Sequence, residues 1–127
     1  MGWAWMLFGL LSGSIIGTWV FNGPVQAPKG HDEYSGLPRR LARIGHINCF
    51  VFAILCILYG LTIDNVPLTH QIKLVGAYAM IVLMVGLSLL PFLMLKWPKL
   101  KYCMAIPVVS AFIGIGIISY GHYKLIV

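Results

Sequence analysis

The segment NGPVQAPKGHDEYSGLPRRLARIGH, residues 22–46, is the one long polar passage in the chain, and the rest is arranged around it. It holds Asp32 and Glu33, two of the three acidic residues, and Lys29, Arg39, Arg40 and Arg43, four of the nine basic ones. It also carries His31, His46 and the prolines Pro24, Pro28 and Pro38. On either side of this belt the chain is mostly hydrocarbon. With 60 % hydrophobic and 9 % charged residues in a length of 127, it has more apolar surface than one water-soluble domain can bury. Lipid is the solvent that such a composition fits.

A helix crosses a bilayer core with about 20 predominantly apolar residues. Stretches of that length lie at Met1–Pro28, Ile44–Ile63, Leu74–Leu95 and Tyr102–Tyr123, each flanked by a charge or a chain end. The expectation is an all-α membrane protein, one domain over residues 1–127, with four transmembrane helices in a bundle. The helices are expected at residues 3–21, 38–63, 69–95 and 102–123, with a cytoplasmic polar loop at 22–37. Trp3 and Trp5 at one end of the first segment, and Trp19 and Phe21 at the other, bracket a span as interfacial aromatics do. A signal peptide would need a basic leading region, which this segment lacks. Gly23-Pro24, Ala27-Pro28 and Ser35-Gly36 are turn signals, and Leu37-Pro38 opens the second helix because proline suits a first helical turn. Pro91 is expected to bend the third helix near its end.

Charge sets the expected orientation. The first and third connections together hold Lys29, Arg39, Arg40, Arg43, Lys96, Lys99 and Lys101, against Lys73 and Lys124 on the other side. This bias places the basic connections in the cytoplasm and both termini on the outer side, the periplasm of a bacterial inner membrane. Arg39, Arg40, Arg43, Lys96, Lys99 and Lys101 are expected to meet anionic lipid head groups or a partner. The net charge of +6 comes from residues at helix ends rather than along a solvated face, so no nucleic-acid partner is expected.

Two small-residue stripes stand out. Gly9, Gly13 and Gly17 are spaced by four, which keeps them on one helix face and makes a groove for close backbone approach. Two readings stay open: a docking face for another subunit, or packing inside this chain's own bundle. Gly45, Cys49, Ala53, Cys56 and Gly60 form a similar sector on the second helix, with His46 at its edge and Asn48 on the other flank. Three cysteines with no CxxC spacing suggest neither a disulfide framework nor a zinc site.

Chemistry is sparse. No charged residue lies within a span, which argues against a proton pump or ion-coupled transporter. No GxSxG, HExxH or P-loop motif occurs. The histidines remain: His70 and His122, near the outer surface, could hold a b-type haem or copper, and His46 with Asn48 could touch a quinone head group. The plainer reading makes the first two interfacial and the third an interhelical hydrogen bond. His31, beside Asp32 and Glu33, is expected to be solvated or part of a docking surface. The expected function is therefore a small non-catalytic accessory subunit without a cofactor, in contact with other membrane protein subunits and with anionic lipids. A respiratory or electron-transfer complex is its expected host, by analogy. The alternative is a small electron-transfer protein binding haem b or quinone through His70, His122 and His46.

Overall fold

A computed structural model describes residues 1–19 and 23–127. Among these the chain is helical without strands: α1 (Gly2–Gly17), α2 (Leu37–Thr62), α3 (His70–Met94) and α4 (Ala105–Ile126). Short 3-10 turns at Ile63–Asn65 and Pro98–Met104 extend α2 and precede α4. The segments Leu37–Asn65, His70–Met94 and Pro98–Ile126 are long and apolar enough to cross a bilayer. The protein is thus an integral membrane protein by the length and character of three helices. The fourth apolar helix, α1, has 16 residues. At 1.5 Å per residue it measures about 24 Å, less than a hydrocarbon core of about 30 Å.

This first helix stops earlier than the sequence suggests. The expected span ran to residue 21, but Gly17 is its last helical residue, and Val20, Phe21 and Asn22 lie outside the described residues. Thr18 and Trp19 tighten the end, their amides turning to the carbonyls of Ile15 and Ile16 three residues back. Such tightening satisfies carbonyls that a helix end would otherwise leave open. The start of the last helix also differs from residue 102. Proline at 107 lacks the N–H that would bond the Cys103 carbonyl, and its ring crowds that oxygen, so the α-helix begins only at Ala105.

Packing is serial. α1 lies along α2, α2 along α3 and α3 along α4, while among the described residues no other pair of these helices shares an extensive interface. The core is where α2, α3 and the turn after α2 meet: Tyr59, Ile63, Val66, Met80 and Leu83. Aliphatic and aromatic side chains such as Leu7, Tyr78 and Phe112, more than 60 % exposed, point away from it. In water such a surface would drive aggregation; against acyl chains it is at home.

Candidate functional site

Four polar side chains inside the spans, His46, Asn48, Cys56 and Tyr59, bond across to a neighbouring helix, while Ser14, Thr62 and Ser110 bond their own. His46 Nδ1 donates to the Gly9 carbonyl at 2.9 Å and lies 3.4 Å from Ser12 Oγ, with its ring edge-on to Phe50. The ring fills the space where a side chain on Gly13 would sit, and Gly9 rests on Cys49 and Phe50. The first two glycines of the α1 stripe therefore face α2. They are not an outward docking face, because a full histidine ring already occupies the groove. Gly17 has open space beside it.

The α2 stripe divides its contacts between two neighbours. Cys49 and Ala53 are fully buried, meeting Gly9 and Gly2 of α1. Gly45 receives the Phe92 ring of α3, and Cys56 Sγ donates to the Met80 carbonyl at 3.2 Å. Gly60 is exposed with nothing beside it. Tyr59 Oη donates to the Lys73 carbonyl at 3.1 Å.

Asn48 turns the opposite way from His46, its Nδ2 donating to the Leu87 carbonyl of α3 at 2.8 Å. This carbonyl is the one that Pro91, four residues on and fully buried, leaves without its helical partner. Asn48 thus closes the gap that the proline opens. Two residues apart on a helix means about 200° of rotation, so His46 reaches α1 while Asn48 reaches α3.

His70 starts α3 and His122 stands near the end of α4, both exposed. Among the described residues, neither lines the belt cavity or the three apolar clefts at the helix seams, and no group of three His, Cys, Asp or Glu side chains suits a metal. Lys96 and Lys101 lie over the rings of Trp97 and Tyr102, and Lys99 is exposed.

The belt holds the most organised polar cluster, and one arginine behaves unlike a surface anchor. Arg40 is exposed and Arg43 rests on the Tyr34 ring, 4.0 Å from its centroid. Arg39, however, is 5 % exposed. Its Nη2 donates to the Trp19 carbonyl at 2.9 Å and its Nη1 reaches the His31 carbonyl at 3.5 Å. A cation in the first turn of α2 opposes that helix dipole, but the same guanidinium sits at the negative end of α1. That placement explains the burial which charge counting missed: the partner is a backbone oxygen twenty residues away.

Two spaces meet at Trp19, the first of them lined by Arg39. A polar cavity of about 570 Å³ is lined by Trp19, Gly23, Gln26, Asp32 and Arg39 among others. Below it runs an apolar cleft of about 470 Å³ between α1 and α3, lined by Phe8, Leu11, Ile15, Leu89 and Phe92, with Trp19 and His31 at its head. Trp19 lines both, and its ring stands edge-on to that of His31 at 5.6 Å. The cleft exists because α1 packs on α2 and not on α3. No protein-family model matches this chain, and no curated protein or solved structure gives a match.

Proposed function

We propose that the protein is a small non-catalytic accessory subunit of a larger membrane complex, and that it stabilises that complex by helix packing. The observation that carries the reading is the use made of the intramembrane polar side chains. His46, Asn48, Cys56 and Tyr59 each bond a backbone carbonyl on a neighbouring helix. Groups committed in this way hold helices at fixed spacing, which is what a scaffold requires. The outer faces support the same reading. Phe112 of α4 is 76 % exposed and Gly116, on the same helix, has open space beside it, so a neighbouring chain could approach there closely.

In this reading the belt and the Lys96–Lys101 turn face the cytoplasm, both termini face outward, and the membrane is a bacterial inner membrane. Electron-transfer assemblies are the first hosts to examine. The test is extraction in a mild detergent followed by native electrophoresis and identification of co-migrating chains. The expected result is migration with larger membrane proteins in fixed proportion. A lone species near the 14.1 kDa chain mass plus its detergent overturns the proposal.

A further inference from the structure

Arg39 is an almost fully buried cation, and its Nε has no hydrogen-bond partner among the described residues. Asp32 lines the same cavity but makes no hydrogen bond or ion pair with it among the described residues. Two backbone carbonyls and the face of the Tyr34 ring, 5.4 Å from the guanidinium carbon, offer partial negative charge, yet a desolvated guanidinium without a full counter-charge is costly. The buried Arg39 calls for an anion beside it, and the exposed Asp32 carboxylate on the same cavity gives a cation a place to bind. Directly beneath lies an apolar cleft whose α1 wall, from Phe8 to Ile15, is about 10 Å long at helical rise. Polar mouth and apolar cleft meet at Trp19, an interfacial residue type.

We propose that this composite site binds one phospholipid with a zwitterionic, primary-ammonium head group, that is, a phosphatidylethanolamine. Its phosphate lies against the Arg39 guanidinium, its ammonium against the Asp32 carboxylate and the Trp19 ring, and one acyl chain fills the cleft between α1 and α3. Charge-assisted bonds fix the head group at both ends. A carboxylate selects a primary ammonium over choline, since only the former donates hydrogen bonds, and it repels a head group whose sole charge is phosphate. A cavity of about 570 Å³ falls within the range of about 300–1,000 Å³ usual for small-molecule sites. The proposal is independent of the subunit reading, since it concerns this chain alone.

The test is reconstitution of the full chain into vesicles of equal parts phosphatidylethanolamine, phosphatidylglycerol and phosphatidylcholine. Gentle extraction follows, and the lipid retained per chain is read by native mass spectrometry. The expected result is one phosphatidylethanolamine per chain, about tenfold over the other two, the ratio that about 1.4 kcal/mol of differential contact gives. Arg39→Gln abolishes retention of any phospholipid. Asp32→Asn keeps a bound phospholipid but loses the choice between ethanolamine and choline head groups. Leu11→Trp fills the cleft from an exposed α1 position without touching the polar cluster, and it too releases the lipid, which keeps the test valid should Arg39→Gln fail to fold. Soluble glycerophosphoethanolamine fails to displace the lipid, because it lacks the chain in the cleft. The proposal is overturned if wild type retains no phospholipid or prefers phosphatidylglycerol. It is equally overturned if Leu11→Trp retains lipid as wild type does, or if the soluble head group competes.

Discussion

At the scale of single residues, Asn48 and Pro91 form a pair whose coupling can be measured. Pro91 removes the amide that the Leu87 carbonyl would accept, and Asn48 reaches across from α2 to supply a donor at 2.8 Å. In hydrocarbon no water can stand in for it. Asn48→Leu is expected to destabilise the protein by about 1–2 kcal/mol, the cost of leaving that oxygen open. Pro91→Ala restores the backbone donor, so Asn48→Leu in that background should cost less, with a coupling of about 0.5–1 kcal/mol. Reversible unfolding in mixed detergent micelles, run on all four proteins, gives the cycle; additive costs would refute the compensation. Gly13 supplies a second case. Its missing side chain is the space that the His46 ring occupies, so Gly13→Leu must drive the ring off the Gly9 carbonyl. Overpacking of this kind costs about 1–3 kcal/mol. The readout is faster tryptic cleavage at Lys29 in the belt, while Gly17→Leu, at a position with open space, leaves the rate unchanged.

At the scale of helices, α1 is the element that departs most from the other three. It is short, apolar and attached along one side only, through His46, Cys49 and Ala53 of α2 and through Arg39 at its end. Arg39 is therefore a fastening for α1 as well as a wall of the belt cavity. Arg39→Lys keeps the charge but loses the planar fork that spans two carbonyls. The expected outcome is local: amide exchange quickens in the last turn of α1 and in the belt around His31, while the α2–α3 core keeps its protection. Uniform loosening of α3 and α4 as well would show that the arginine supports the whole bundle instead. Where helices start and stop was partly legible. Pro38 marked the beginning of α2 to within one residue, since proline belongs in a first turn. Pro107 misled the reading of α4, because apolar length said span from residue 102 while the proline postponed the α-helix to Ala105.

At the scale of the whole molecule, three long apolar helices and one short one leave a question of sidedness that chemical labelling answers. Single cysteines in a background without Cys49, Cys56 and Cys103 can be placed at Asp32, Lys99 and Tyr123. With the basic connections cytoplasmic, a membrane-impermeant maleimide added to right-side-out vesicles modifies only the third position, and added to inverted vesicles only the first two. The reverse pattern would refute the charge argument. Labelling of Asp32 and Lys99 from opposite sides would mean an odd number of crossings between them, and hence that the helical hairpin α2–α3 is not spanning as drawn.

Composition alone determined that this chain lives in lipid, because gaps of about 20 residues between charges can be satisfied only by helices that bond their own backbone. Periodicity determined which faces are smooth enough for close packing, since spacing by four is a property of the helix and not of its surroundings. Which neighbour each face meets was decided only in three dimensions. Gly13 meets His46, Asn48 meets the carbonyl freed by Pro91, and Arg39 meets the end of α1. Each of these contacts joins residues distant in sequence, the last two through a backbone oxygen, and neither a missing side chain's space nor a backbone oxygen names its partner in a sequence. For the same reason the cavity beside Arg39 and the adjoining cleft belong to the tertiary structure: the belt and the start of α2 meet around the first, and α1 lying on α2 and not on α3 leaves the second.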